Sequence, residues 1–393
     1  MSKLNSNLPV ILIDTSYWLY YRFFSLRNWY ARAYPEKYAN ESKNTFNTNH
    51  NWLEDEVFMS KYKKLFIENI KKLCKKYKTK LENVVFCIDC SHNEIWRHKI
   101  VTTENNKINE INEKIKKEKD KPIEPPVEPI EPQPPVEPIE PPVDPLETIE
   151  PSEILPLDLL KAVEPYKGKR KESHKKNNFN SFNIFTYMKK SVIPLLKDNN
   201  NNNIKIINCS CCEADDIIGQ LSVYIENKWK EQMAEHTNQS IKKIYILAND
   251  NDYLQVCNTN IKLINGIGKI ISSEKDNTSY GTKYLLSKIL LGDKSDNIKC
   301  CTIDSGYCDS GVSNNKYKNI TNKYIKIIFD NPDKYELLIN LLNDIRNNKQ
   351  LNDINTKHII NINKFKHNIN MMDFQMLPLE LKQNLNKLFD DII

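Results

Sequence analysis

Two short apolar runs, VILID at 10–14 and VVFCID at 84–89, are rich in β-branched residues, and each ends in a carboxylate. Continuous apolar runs of this length predict parallel strands buried on both faces. Between them, Phe58, Tyr62, Leu65, Phe66, Ile70 and Leu73 recur at helical spacing, with lysines on the other face, which predicts a helix over 57–76 and a βαβ unit. Downstream, the runs at 204–208, 244–247 and 261–264 predict three more strands, with a helix from about 214 to 229 between the first two. After Tyr280 the strand signals fade, and 283–291, 334–347 and 379–388 read as helices. The pattern predicts an α/β fold, doubly wound in style with a mainly parallel sheet, over 1–280, and a helical C-terminal region over 281–393.

One stretch fits neither period. Thirteen of the 19 prolines lie between Pro122 and Pro156, and PPVEPIEP occurs twice, at 125–132 and 134–141. Proline this dense removes backbone donors and fixes φ, so the segment predicts an extended polyproline rod or a loop, not a core element. The charged stretch before it, 104–121, predicts a solvated helix. An insert of about 101–160 therefore interrupts the α/β region, and 122–145 is a candidate docking site for a proline-reading protein or a plain spacer.

The insert also changes the charge picture. The whole 393-residue chain carries 57 Lys and Arg against 51 Asp and Glu, a formal net charge of +6. Ten acids and no bases lie within 122–160, so the remainder carries +16. A basic body makes nucleic acid the first partner to consider, against the plainer reading of an inert basic surface. No run approaches the ~18 apolar residues of a membrane helix, and 1–10 lacks the layout of a signal peptide. Ten cysteines, some adjacent (Cys211 and Cys212, Cys300 and Cys301), suit a reducing, intracellular setting. Cys209, Cys211, Cys212, Cys300, Cys301 and Cys308 do not form two CxxC knuckles and have no His at ligand spacing, so reduced thiols are expected there in place of zinc.

Ligands of open α/β sheets bind beyond the carboxyl ends of the strands, and this chain loads that edge with acids. Asp14 and Asp89 end two strand runs; Glu213, Asp215 and Asp216 stand where strand turns into helix; Asp250 and Asp252 follow the run at 244–247; Asp293 and Asp296 lie in GDKSDN. Nine carboxylates in one place repel each other unless cations neutralise them. Oxygen ligands without His or Cys select Mg²⁺, with Mn²⁺ as a substitute, and the excess of acids suggests two ions in the arrangement used for phosphodiester hydrolysis. Glu213 and Asp215 can share one ion only if Glu213 precedes the first helical turn; Asp216 is a ligand or an acceptor behind the ligands.

The motifs at 13–23, FCIDC…WRH at 86–98, EPYKGKR at 164–170, EADDIIG at 213–219, NDNDYLQ at 249–255 and GDKSDNI at 292–298 together resemble the 5′-to-3′ exonuclease and flap endonuclease family, which includes the nuclease domain of bacterial DNA polymerase I. The aromatic extension after the first motif, at 20–52, and NINMMDFQMLP at 368–378 look most like the versions carried by large DNA viruses, which would place the protein in a host cytoplasm or nucleus. The resemblance implies a three-layer PIN-like nuclease domain acting on DNA with 5′ ends, flaps or branches in replication, repair or recombination. It implies that Asp14, Asp89, Glu213 and Asp215 hold one metal, with Asp216 nearby, and that Asp250, Asp252, Asp293 and Asp296 form the shared and second-metal set. Lys167 and Arg170 match the basic positions near the scissile phosphate; Lys169, Lys171 and Arg97 are phosphate candidates, and Tyr17 and Tyr166 candidate stacking surfaces for unpaired bases.

Two departures stand out: the insert separates WRH from EPYKGKR, and KCCTIDSGYCDSGVS follows GDKSDNI where the family has its helix-hairpin-helix. The altered hairpin keeps open a catalytically inactive factor that binds branched DNA; a ribonuclease of related fold is a further alternative.

Overall fold

The computed structural model describes residues 3–38, 50–119, 163, 165–168, 181–198, 203–235, 242–272, 278–301, 322–349, 360 and 362–393. The Pro-rich stretch, Lys169, Arg170, Lys171 and the segment expected to replace the hairpin lie outside them. The described chain divides into two compact units, Met1–His98 with Pro165–Ile393, and Lys99–Glu164. In the second unit the helix that begins at Trp96 runs to Lys119, and Asn105 brackets Val163, accepting from its N–H at 2.7 Å and donating to its carbonyl at 3.0 Å. Residues 281–393, expected as a region of their own, belong to the same compact unit as the sheet.

That unit is built on five parallel strands: β1 (Val10–Asp14), β2 (Val84–Ile88), β3 (Lys205–Asn208), β4 (Ile244–Leu247) and β5 (Ile261–Ile264), in the order β3-β2-β1-β4-β5. Every residue of β2 and the first four of β1 are buried, as a strand covered by helices on both faces requires. The order reverses between β1 and β4, where Ile13 sits beside Leu247. This switch point is where an open parallel sheet leaves a crevice at the strands' carboxyl ends.

The helices show why they start and stop. α1 (Thr15–Ala33) is capped by Asp14, whose side chain accepts from Tyr17 N, and α2 (Glu56–Lys76) by Asp55, which accepts from Phe58 N. α3 is Trp96–Lys119, α4 is Ser181–Tyr187, and a π turn, Met188–Val192, follows α4 directly. α5 (Ala214–Glu235) carries Asp215 and Asp216 in its first turn, where the helix dipole favours negative charge. Aromatic residues after the first motif enter the core: Phe23 packs edge-on against Trp52, Phe58 and Tyr62, and Tyr30 against Trp52.

Five helices complete the unit: α6 (Thr278–Leu291), α7 (Asn322–Phe329), α8 (Pro332–Arg346), α9 (Ile362–Met372) and α10 (Leu379–Asp390). α8 has Asn331 as cap and Pro332 in its first turn, the position where a missing N–H costs nothing. Asn368 of α9 is buried and donates to the carbonyls of Ile289 and Lys299, at 2.7 and 2.8 Å, which locks α9 to the end of α6. The turn after α9 closes over α5: Gln220 donates to the Phe374 carbonyl at 2.6 Å, and Gln255 joins Phe374 N and the Met372 carbonyl at 3.0 and 3.2 Å.

Candidate metal centre

The sheet delivers Asp14 and Asp89 from adjacent strands, Asp14 as the last residue of β1 and Asp89 just after β2. Asp14 accepts from Tyr17 N at 2.9 Å and from the Tyr253 hydroxyl at 3.3 Å. Burial, with Asp89 and Asp250 close by, pushes its carboxyl up to about 7. Asp89 takes the opposite course. Burial raises it, but Lys189 at 3.3 Å, the Ser16 hydroxyl and Ala214 N at 3.0 Å hold it below the usual range.

Glu213 precedes the first residue of α5, the placement needed for it to turn toward the same space as Asp215. Ligand atoms of Glu213, Asp215 and Asp216 lie within 4.8 Å of one another. Asp216 is fully engaged: it accepts from both Arg97 Nη atoms at 2.8 and 3.1 Å, from Trp96 Nε1 at 3.0 Å and from Glu213 N at 3.0 Å. Arg97 also reaches Glu213 Oε2 at 2.9 Å and the Met371 carbonyl at 2.8 Å. Burial raises Glu213, yet Lys167 at 2.5 Å and Arg97 bring it below its ordinary value, while burial carries Asp215 well above.

The remaining acids come from the other side of the switch point. Asp250 caps a short 3₁₀ turn, Asn251–Gln255, by accepting from Asp252 N at 2.9 Å. Asp252 is pushed up to about 6 by burial and by Asp250, against the pull of Lys288. Lys288 Nζ bridges Asp252 Oδ1 and Asp293 Oδ2, the latter at 2.9 Å. Burial raises Asp293, but the Ser295 hydroxyl, at 2.6 Å, and Lys288 bring it down to about 2. Asp215, Asp252, Asp293 and Asp296 line one pocket with Lys288 and Tyr166.

The GDKSDN loop also fixes the segment that carries Lys167. Lys167 N donates to the Asp296 carbonyl at 3.1 Å, and the Asn297 amide to the Pro165 carbonyl at 2.9 Å.

Three residues stand elsewhere than expected. Arg97 is 2% exposed and ion-paired internally, because the buried Asp216 and Glu213 leave it no outward course. Tyr166 is 3% exposed and donates to Glu213 Oε2 at 3.0 Å, so its ring supports the acid cluster from inside. Tyr17 is half-buried; its hydroxyl accepts from Gly266 N at 2.8 Å, and its ring stacks on Tyr21. Sequence reasoning missed Lys189, Lys288 and Tyr253. Only Lys288 left a trace, a lone cation among the apolar residues at the end of α6.

The donor set fits hard divalent cations: clustered carboxylates from separate segments, two of them raised to about 7 and about 6 by burial and neighbouring acids. Among the described residues no helix is long and apolar enough to cross a membrane.

No protein-family profile matches the chain. In sequence it is 30% identical to a 5′-3′ exonuclease of Buchnera aphidicola subsp. Acyrthosiphon pisum (strain APS) over 161 residues, 37% of this chain and 48% of that protein. The chain thus spans about half the length of the curated relative it matches. Among solved structures it is similar to a phage T5 protein co-crystallised with metal ions (TM-score 0.45, 10% identity, 98% of each chain). It is also similar to the T5 5′-exonuclease with bound zinc (TM-score 0.41, 10% identity, 98% of this chain and 99% of that one). A third is a T5 flap endonuclease complex with DNA and metal ions (TM-score 0.41, 9% identity, 98% of each chain). The resemblance in sequence is therefore to part of a 5′-3′ exonuclease.

Proposed function

We propose that this chain is a divalent-metal-dependent 5′ nuclease that hydrolyses phosphodiester bonds of DNA at free 5′ ends, flaps or branches. The observation that carries the reading is the meeting of acids from five segments at the switch point of the parallel sheet, among them Asp14, Asp89, Glu213 and Asp252. Asp14, Asp89, Glu213 and Asp215 would hold one ion, and Asp250, Asp252, Asp293 and Asp296 would share or hold a second, with Mg²⁺ the expected metal and Mn²⁺ a substitute. Two such ions supply an activated water and a clamp on the attacking and leaving oxygens.

The chain's own residues prepare that chemistry. Arg97 and Trp96 hold Asp216, and through Glu213 N they fix the turn that aims Glu213. Lys167 sits on Glu213 with its side chain 12% exposed, placed to neutralise charge that develops on a phosphate; Arg170, three residues on, is its expected companion. Lys288 keeps Asp252 and Asp293 a fixed distance apart. Hydrolysis breaks the bond between phosphorus and the 3′ oxygen, leaving a 5′-phosphate and a 3′-hydroxyl.

The test is gel analysis of 5′-labelled flap, nicked and single-stranded DNA and RNA with wild type and Asp250→Ala, with Mg²⁺ or EDTA. Cleavage of a 5′ DNA flap or end that requires both Mg²⁺ and Asp250 is the expected result. A wild type that shifts branched DNA but cleaves nothing with any metal would transfer the reading to a non-catalytic DNA-binding factor.

A further inference from the structure

Lys189 has no part in the motifs that point to a nuclease. It lies in the π turn Met188–Val192, whose wide ring is closed by Ile193 N on the Met188 carbonyl at 2.9 Å. Wide turns of this kind recur at functional sites because they displace a side chain from its helical course. The turn brings Lys189 Nζ to 2.9 Å from Ser16 Oγ and 3.3 Å from Asp89 Oδ2, and Ser16 donates to that same carboxylate oxygen. The other oxygen, Oδ1, is held by Ala214 N at 3.0 Å.

We infer that Lys189, which pairs with Asp89, is a phosphate-contacting residue that a divalent cation on Asp89 would displace toward a bound DNA strand; this rests on the metal-nuclease reading. An ammonium carries three donors. Ser16 and Asp89 take two of them, and the side chain remains 27% exposed, so one donor faces out of the site among the described residues. A divalent cation competes for Asp89 Oδ2, the oxygen that Lys189 now neutralises. With that charge satisfied by the ion, Lys189 keeps Ser16 as an anchor and has two donors for a phosphate oxygen of the strand. Lys167 on Glu213 and Lys288 on Asp252 and Asp293 neutralise the other acid pairs, so Lys189 completes the set on the side of β2. It lies two residues after Tyr187, the last residue of α4, whose hydroxyl accepts from Lys63 at 2.9 Å.

The test compares wild type, Lys189→Met and Lys189→Arg in the full chain, after thermal melts show that all three fold. Mn²⁺ affinity is measured by calorimetry without DNA, and affinity for a 5′-flap DNA is measured in Ca²⁺ across a salt series. Lys189→Met is expected to bind Mn²⁺ at least as tightly as wild type, because a competing charge is gone. Its DNA affinity is expected to fall about tenfold, the scale of one hydrogen bond to a charged group, and its salt dependence to drop by about one phosphate contact. Lys189→Arg is expected to keep the salt slope of wild type. If Lys189→Met binds Mn²⁺ more weakly, or keeps both DNA affinity and salt slope, the residue only braces Asp89 and the inference is overturned. A wild type that binds no Mn²⁺ overturns the nuclease reading itself and this inference with it.

Discussion

Arg97 and Asp216 face each other through two bonds, Nη2 to Oδ1 at 2.8 Å and Nη1 to Oδ2 at 3.1 Å, although 119 residues separate them in the chain. Both side chains are buried, and the pair links the start of α3 to the first turn of α5. Removing one partner of a buried ion pair leaves an uncompensated charge, which costs about 3–5 kcal/mol. Arg97→Ala is therefore expected to lower stability by that amount in urea denaturation. Arg97→Lys is expected to recover only part, since an ammonium cannot make the forked contact. An Arg97→Ala protein as stable as wild type would show that the pair does not hold these elements together.

Gly219 and Phe374 define a second constraint. A Cβ built on Gly219 would lie 2.5 Å from the Phe374 ring, so the glycine in EADDIIG lets the turn after α9 close on α5. Gly219→Ala is expected to cost about 1–3 kcal/mol through overpacking. In a Phe374→Ala background the ring that the Cβ would strike is gone, and the same change is expected to stabilise, because alanine is the better helix former by about 1 kcal/mol. A double-mutant cycle in urea measures the reversal of sign; equal effects in both backgrounds would separate the two residues.

Much of this arrangement was legible from pattern alone. VILID, VVFC and IYIL are continuous apolar runs with no helical alternative of that length, and an acid after each could be assigned to one sheet edge without knowing the topology. α1 was not legible as a helix, because its aromatic residues surround the axis with little polar contrast: Trp18, Leu19, Phe23 and Tyr30 are buried, while Tyr20, Phe24 and Trp29 are partly exposed. α7 and α9 lie in Asn- and Lys-rich stretches and are not among the helices that the pattern predicts after Tyr280. The direction of a cation was the hardest feature to read. Arg97 in WRH and Lys167 in YKG look alike as basic residues beside aromatics, yet the first is sealed behind Asp216 and the second is partly exposed on Glu213. Only the tertiary positions of their acids distinguish them.

The two raised carboxyls give the metal-free protein a pH dependence of known sign. Asp14 at about 7 and Asp252 at about 6 stand above their unfolded value of 3.8, so the fold favours their protonated forms. Stability from these groups is greatest below the unfolded value and is lost as pH rises through about 6 to 7. Asp89, Glu213 and Asp293 are lowered, so their contribution is present above the unfolded range and is lost on acidification, for Asp293 through about 2. In EDTA, melting temperature is therefore expected to fall between pH 5 and 8, and Asp14→Asn to flatten the fall. Mg²⁺ is expected to raise the melting temperature more at pH 8 than at pH 5, because the ion binds the charged forms. A Mg²⁺ effect that is the same at both values would mean that these acids are not its ligands.

Electrostatics also predicts what the Pro-rich stretch does to DNA binding. Residues 122–160 contribute ten negative charges and no positive ones to a chain that is otherwise at +16. A polyanion tethered to a basic body competes with the DNA backbone for the same lysines and arginines, and the competition is screened as salt rises. Deleting 122–160 is expected to leave Mg²⁺-dependent cleavage in place and to tighten DNA binding at low salt, with the difference shrinking toward physiological ionic strength. Replacing the ten acids by Gln and Asn, with every proline kept, separates charge from length: it should tighten binding as the deletion does. If only the deletion tightens binding, the stretch acts by obstruction and not by charge; if the deleted protein fails to fold, the stretch is part of the structure.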